Sequence, residues 1–306
     1  LLAGLLTLSR TSRSMTAKRQ QRAELAREPE LSESEELPSY ASDTSDSSVE
    51  QDSPPPRAPS RSQQLDEPSG IWDPSDTPRA VTLMHIFSNT DRPGGLSDAT
   101  RAGGGSAINV DIKIGGDRHS ILDDVVYEAL CRWAASGLVE HMWLGVVCSS
   151  FSLLWTQPGR IKLRSRQHPE GLLPLPPKWF EYVQRGNMIV RRAVTIAILQ
   201  YRSGRSFFIE NVPDYGYPQS PLFRWSKRAH VPIWITSWMR GLASEVPLLW
   251  GTTAMCGWGG PFHKPTTVCG AGPNASAVLG INEVQCTTLR HELLATGVDS
   301  QGRQLS

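Results

Sequence analysis

Short apolar runs alternate with stretches of helical periodicity through the middle of the chain. Four runs have the length and composition of buried strands, and each leads into a polar or small residue. They are Ala80–Phe87, Ala107–Ile112, Met142–Val147 and Ser206–Ile209. Continuous apolar strands separated by helices are typical of a parallel sheet that is covered on both faces. The pattern therefore predicts an open α/β fold.

Helical periodicity is clearest in two segments between these strands. Leu122–Ala135 and Trp179–Tyr201 have apolar residues at three- and four-residue spacing. A shorter helix is predicted to begin at Ser97, whose side chain suits an N-cap, and further elements are predicted at 231–238 and 246–255. The inner stripe predicted for the long second helix is Met188, Ile189, Ala193, Ile196 and Ala197.

Residues 1–78 lack this patterning, and Ser, Glu, Asp, Pro and Arg dominate them. Such a segment cannot bury enough apolar surface to offset the entropy of ordering it. We therefore predict a disordered tail at 1–78, one domain of ordinary size at 79–290, and a C-terminal tail at 291–306.

Cysteine usage and hydropathy narrow the class of protein. The chain has five cysteines, an odd number, and none forms a CxxC pair. This argues against a disulfide framework and for a reducing, intracellular compartment. Zinc-ligand spacing is also missing, so no metal is predicted. No apolar run reaches the length of a membrane span, so no membrane association is predicted.

Charge is segregated along the chain although its net value is only +1. The segment from Glu24 to Asp52 is acidic, whereas Arg160–Arg192 holds many Lys and Arg and few acids. A local basic stretch of this kind is consistent with phosphate contacts. It is equally consistent with a solvated loop and helix face.

Chemically competent side chains follow the predicted strands at their ends. Asp111, Cys148 and Glu210 each come at or just after the end of an apolar run. Ligands of open α/β sheets bind at the carboxyl ends of the strands. An isolated cysteine is usually a small buried hydrophobe, and an isolated glutamate is often a turn residue. Their coincidence at neighbouring strand ends favours a functional site.

Four segments between Thr82 and Thr267 carry a family resemblance. Gly145–Ser152 reads G-V-V-C-S-S-F-S, Glu210–Val212 reads E-N-V, and His85–Ser88 reads H-I-F-S. Cys256–Gly259 is followed by H-K-P-T-T at His263–Thr267. In this order the segments resemble the motifs of cytosine-5 DNA methyltransferases, in a divergent form similar to proteins of phages and mobile elements.

The resemblance implies a Rossmann-like sheet that binds S-adenosylmethionine and transfers its methyl group to carbon 5 of cytosine in DNA. Cys148 would be the nucleophile, and Glu210 would bind ring nitrogen 3, with Asn211 beside it in the same motif. The cofactor contacts implied are Phe87 and Ser88 of the first motif, Asp111 on the ribose, and Asp123 on the adenine, with Ser120 and Asp124 as alternatives to Asp123.

A loop at Gln157–Lys178 follows the nucleophile motif, where the family has its mobile catalytic loop. We predict that its basic side chains contact phosphates, namely Arg160, Lys162, Arg164 and Arg166. The target base must leave a duplex to reach the thiol. RNA stays an alternative partner to DNA, because RNA-modifying relatives share the same motifs.

Some positions depart from the family pattern. Val147 stands where the family has Pro, and Ser88-Asn89 stand where it has glycines. Few residues follow Thr267 to form a target-recognition domain. Three alternatives stay open: an inactive methyltransferase-like remnant of a mobile element, a nucleic-acid-binding module without catalysis, and a cysteine hydrolase that pairs Cys148 with His85, His119 or His141.

Overall fold

A computed structural model describes residues 71–90, 94–220, 222–254, 262–263, 265–280 and 293–294. Its strands are β1 Val81–Ile86, β2 Ala107–Val110, β3 Val139–Gly145, β4 Ser206–Asn211, β5 Leu249–Ala254, β6 Phe262–His263, β7 Pro265–Ala271 and β8 Leu293–Leu294. Its α-helices are α1 Leu96–Ala102, α2 Ile112–Gly115, α3 Asp124–Ala135, α4 Pro177–Arg202, α5 Ser237–Glu245 and α6 Ala275–Leu279. The four strands predicted from apolar runs are confirmed as β1 to β4.

Six strands form one mixed sheet in the order β2-β1-β3-β4-β7-β5. Strands β1 to β4 are parallel, whereas β7 runs antiparallel to both β4 and β5. A wholly parallel sheet was therefore the wrong expectation. Strand β7 escaped prediction because its side chains are small or polar, although residues 266–271 are all buried. Strands β6 and β8 form a separate parallel pair. Of the two, β8 falls inside the predicted C-terminal tail.

Helices cover both faces of the sheet, as the α/β pattern predicted. On one face α3, α4 and α5 share a core that includes Trp133, Met142 and Ile196. Burying a large apolar side chain of this kind contributes about 1.5–3 kcal/mol. On the other face α6 packs on Phe208 and Val268. Helix α1 has Gly95 rather than Ser97 as its N-cap.

Helix α4 is the longest element and sets the position of the loop before it. It begins at Pro177, since proline suits the first helical turn. Ala193, Ile196 and Ala197 are buried as predicted, but Met188 is 38% exposed. The buried stripe continues toward the start of the helix through residues 183, 186, 187 and 190. Glycine 186 and asparagine 187 carry no apolar signal, so the sequence predicted the second half of the stripe and missed the first.

The folded part begins before residue 79. Trp72 is 5% exposed and belongs to the main core, and its carbonyl oxygen lies 2.7 Å from Nε2 of the buried His119. Residues 71–78 therefore belong to the domain, whereas the sequence assigned them to the tail. One buried tryptophan makes no periodic pattern, which explains the difference. Residues 1–70 lie outside the described part of the chain.

None of the described helices is long and apolar enough to cross a bilayer.

Candidate functional site

The carboxyl edge of the parallel strands brings the predicted nucleophile and acid together. Gly145, at the end of β3, is the register partner of Glu210 on β4. Cys148 follows Gly145 by three residues, and its thiol and the Glu210 side chain are both partly exposed. The two predicted catalytic residues therefore lie at neighbouring strand ends, on the same edge of the sheet.

Side chains from distant segments hold the backbone on both sides of Cys148. Nδ2 of Asn211 donates to the carbonyl oxygen of Val146 at 2.6 Å. Nε1 of Trp155 donates to the carbonyl oxygen of Ser149 at 3.3 Å. The sequence placed Asn211 in the site only as part of a motif. The structure shows that Asn211 positions the strand end from which the turn that carries Cys148 starts, a segment of residues 146–151 that we call the Cys148 turn.

Arg164 binds the next residue of this turn from inside the protein. The side chain is 4% exposed, and its guanidinium lies 3.6 Å from the centroid of the Phe151 ring. Burial lowers the pKa of Arg164 to about 9, and charge-assisted hydrogen bonds keep it protonated at neutral pH. All five donors are used, by the carbonyl and hydroxyl oxygens of Ser150, the carbonyl oxygens of Pro169 and Val183, and Oδ1 of Asn187.

His230 completes the support of the turn. Its Nε2 lies 3.2 Å from the carbonyl oxygen of Phe151 and must donate, because a carbonyl only accepts. Burial lowers the pKa of His230 to about 4, so the ring is neutral at physiological pH. Its Nδ1 is buried and has no hydrogen-bond partner among the described residues. Together with Asn211, Trp155 and Arg164, this histidine makes the segment 146–151 a rigid platform for Cys148.

The basic loop residues predicted to contact phosphates divide into two groups. Arg160 and Lys162 expose their side chains. Arg164 has no donor left, and Arg166 forms a bidentate pair with Asp214 at 2.8 and 2.9 Å. Both arginines hold the loop in place instead. Arg164 ties it to α4, and Arg166 ties it to the segment after β4. The phosphate hypothesis is therefore kept for Arg160 and Lys162.

Backbone strain marks the same edge of the sheet. Among the described non-glycine residues, Phe87, Asn89 and Ser149 have positive φ angles, of 62°, 62° and 43°. All three lie within four residues of the end of β1 or β3. Such conformations cost about 1–3 kcal/mol each and cluster at functional sites. The Phe87 conformation is held by its N–H, which donates to the carbonyl oxygen of Val110 at 2.8 Å.

Asp111 closes the edge at the end of β2. Its Oδ2 accepts from the backbone N–H of Asn89 and its Oδ1 from that of Lys113, both at 2.8 Å. Its own N–H donates to Nδ1 of His119, whose Nε2 must then donate to the carbonyl of Trp72. The carboxylate is thus fixed between two loops, and each oxygen keeps a second lone pair for a ligand.

Other predicted residues have structural partners. Asp123 is the N-cap of α3, since its Oδ1 accepts from the N–H groups of Val125 and Val126. The hydroxyl of Ser88 donates to the carbonyl oxygen of Asn89 at 3.0 Å. His119 uses both ring nitrogens on backbone groups, which makes it a poor base for Cys148.

Trp143 is a site residue that the sequence did not reveal. Its Nε1 donates to Oε2 of Glu210 at 3.2 Å. In the parallel register Trp143 pairs with Phe208, and Glu210 projects to the same face because it lies two residues further along β4. The alternation was readable from the sequence, but the pairing of β3 with β4 was not. Oε1 of Glu210 is the oxygen that Trp143 leaves for a ligand.

Gly186 on α4 allows the turn after Cys148 to approach the helix. A Cβ at this position would lie 2.5 Å from Oγ of Ser150, which Arg164 holds in place at 2.6 Å. We expect Gly186→Ala to lower the free energy of unfolding by about 1–3 kcal/mol, as overpacking does. Urea denaturation measures this.

Gly241 provides the matched control for Gly186. It also lies inside a helix, α5, but a Cβ there meets no atom within 4 Å. Gly241→Ala is expected to raise the free energy of unfolding by about 0.5–1 kcal/mol through helix propensity. If the two variants unfolded alike, Ser150 would not be held as described.

No group of three or more His, Cys, Asp or Glu in the described part of the chain is placed to hold an ion.

Comparison with known proteins adds no relative to these observations. No protein-family pattern matches the chain, and no curated protein is similar to it in sequence. The chemistry of the site is therefore what points to a function.

Proposed function

We propose that the chain transfers a methyl group from S-adenosylmethionine to carbon 5 of cytosine in DNA, through a covalent adduct at Cys148. The observation that carries this proposal is the β3–β4 register, which puts Glu210 opposite Gly145, three residues before the thiol. The strand order supports a Rossmann-like sheet, because β1 has β2 on one side and β3 on the other. In such a sheet a crevice opens where the chain changes direction, between β1 and β3.

Cys148 is placed to act as the nucleophile. Carbon 5 of cytosine reacts poorly until a nucleophile has added to carbon 6, and a thiolate is well suited to that addition. Electropositive surroundings favour a thiolate, and the Arg164 cation is held against the turn that carries Cys148. The bound carbonyls of Val146 and Ser149 keep the backbone beside the thiol from moving during the attack.

Glu210 is placed to bind the edge of the same base. A carboxyl group that protonates or hydrogen-bonds ring nitrogen 3 stabilises the charge that develops when sulfur adds to carbon 6. Trp143 fixes one carboxyl oxygen and so orients the other. The S–C6 bond would form first, carbon 5 would then take the methyl group from the sulfonium of the bound cofactor, which would leave as a neutral thioether, and a base would remove the carbon 5 proton. Cleavage of the S–C6 bond restores the aromatic ring and the thiolate.

The residues at the β1 and β2 ends fit a nucleoside cofactor. Asp111 keeps one lone pair on each carboxylate oxygen after the contacts with Asn89 and Lys113, which suits a pair of ribose hydroxyls. The positive φ angles of Phe87 and Asn89 turn the backbone sharply after β1, beside the crevice. S-adenosylmethionine, when bound, supplies an electrophilic methyl group.

The test is covalent trapping of the full chain. The chain is incubated with S-adenosylmethionine and an oligonucleotide that carries 5-fluorocytosine. The fluorine takes the place of the proton that a base would remove from carbon 5, so the adduct cannot break down. We expect a protein–DNA adduct that survives denaturing electrophoresis, with a mass that includes the transferred methyl group. Absence of adduct on duplex and single-stranded DNA, and on the corresponding RNA, would refute the proposal.

A thermal-shift titration separates the active enzyme from an inactive remnant. A ligand that binds only the folded state must raise its stability. S-adenosylmethionine is therefore expected to raise the melting temperature, and Asp111→Asn to weaken the effect. A shift without any adduct would favour a cofactor-binding protein that has lost catalysis.

A further inference from the structure

Three aromatic side chains cluster beside the Cys148 turn, and the proposed mechanism does not use the faces of their rings. Trp155 lies 5.2 Å from Trp179 and 5.7 Å from Tyr182 between ring centroids, and the last two are 6.2 Å apart. All three rings meet edge to face and are partly exposed. We call these residues the aromatic cluster.

The aromatic cluster is tied directly to the candidate nucleophile. Nε1 of Trp155 donates to the carbonyl oxygen of Ser149, the residue after Cys148. The other two rings lie in the first turns of α4, whose Gly186 touches the same turn. A chain that delivers a base to Cys148 would therefore pass close to these rings.

Basic side chains flank the aromatic cluster. Lys178, Tyr182 and Arg185 follow each other at four- and three-residue spacing, which puts them on one face of α4. Lys178 and Arg185 are exposed, as are Arg160 and Lys162 on the preceding loop, and the exposed acid among them is Glu181. The local charge is strongly positive and complements a polyanion.

We propose that the aromatic cluster and its flanking cations bind a single strand of nucleic acid, on which unpaired bases stack while Lys178 and Arg185 face the phosphates. Aromatic rings combined with a basic surface are the usual means of binding single strands, because every base has a π-face. In a duplex those faces are covered by neighbouring base pairs. The inference deepens the proposed function, since the bound strand would be the one that carries the target cytosine.

The experiment measures fluorescence anisotropy of a labelled single strand of about 20 nucleotides, longer than one binding module covers. The protein is the full chain with Cys148→Ala, so no adduct contributes to binding. Tyr182→Leu is expected to weaken binding about tenfold through loss of a stacking ring. Tyr182→Phe keeps the ring and is expected to bind as the parent does. Thermal melting confirms that each variant is folded.

A charge variant tests the phosphate contacts and keeps all three rings, although it removes the Lys178 cation that lies 5.5 Å from the centroid of the Trp179 ring. Lys178→Gln with Arg185→Gln is expected to reduce the slope of log affinity against log salt by about 1.4, or about 0.7 for each phosphate that the protein no longer neutralises. Arg202→Gln is the control. Arg202 is an exposed cation on the same helix, about 36 Å from Lys178 and about 26 Å from Arg185 along the helix axis. It is expected to leave the slope unchanged.

Several outcomes would overturn the inference. These are equal affinity for duplex and single strand, full binding by folded Tyr182→Leu, an unchanged salt slope in the charge variant, or a surface that instead binds phosphatidylserine vesicles or a second copy of the chain. Failure of the proposed function has a different signature, namely intact single-strand binding by the parent with no adduct on any substrate.

Discussion

Replacing Cys148 with serine is expected to abolish the covalent adduct with DNA that carries 5-fluorocytosine, by at least about a thousandfold. A serine hydroxyl keeps the shape of the side chain but is not ionised at neutral pH, so it adds to carbon 6 far more slowly than a thiolate. Adduct yield on denaturing gels measures the effect. The thermal stability of the variant should change little, because the thiol is only partly buried.

Cys131 is the matched control for this experiment. Like Cys148 it is partly buried and outside any disulfide, but it lies on α3, away from the strand ends. Burial raises the pKa of Cys131, so its thiolate is scarce near neutral pH. Cys131→Ser is expected to form the adduct normally. An adduct that persists in Cys148→Ser, or one that disappears in Cys131→Ser, would contradict the assignment of the nucleophile.

Arg164→Met is expected to lower the free energy of unfolding by about 3–5 kcal/mol, the loss typical of breaking a buried charged network. Methionine fills a similar volume but leaves the acceptors on Ser150, Asn187 and the loop carbonyls without donors. Each buried acceptor that loses its partner costs about 1–3 kcal/mol, and the costs are not additive. Equilibrium urea denaturation gives the comparison with the parent chain.

Two further substitutions frame the Arg164 result. Arg160→Met removes an exposed arginine from the same loop and is expected to change stability by less than about 0.5 kcal/mol. Arg164→Lys keeps the charge but supplies three donors in place of five, so an intermediate loss is expected. Equal stability of Arg164→Met and Arg160→Met would show that water satisfies the acceptors and that the platform does not depend on this arginine.

The Cys148→Ser and Arg164→Met experiments distinguish loss of the reacting thiol from loss of the structure that supports it. Cys148→Ser removes the reacting atom and leaves the platform, whereas Arg164→Met removes a support of the platform and leaves the thiol. If the proposed function holds, the folded fraction of the arginine variant forms adduct more slowly than the parent, because the cation that favours the thiolate is gone. Trapping below its midpoint of unfolding measures this effect apart from the loss of stability.

The pattern of apolar residues was enough to predict the parallel strands β1 to β4 and the edge of the sheet at which the candidate site lies. A buried strand must carry a continuous apolar run, so β1 to β4 were visible as local patterns. Parallel strands share one carboxyl edge, which is why Cys148 and Glu210 were expected there before the structure showed Gly145 opposite Glu210. The aromatic and basic composition of α4 was also evident, as was the second half of its inner stripe.

The contacts of the polar side chains depend on the fold and could not be predicted from local patterns. Arg164 and Arg160 look alike in the sequence, and one is buried because acceptors from the loop, the turn and α4 meet around it. Trp143 reaches Glu210 across 67 residues of chain, and Trp72 enters the core without any periodic neighbour. The reversed strand β7 is buried by its partners rather than marked by its own side chains. Local periodicity reports how one element faces solvent, whereas hydrogen-bond partners and strand register depend on residues that only folding brings together.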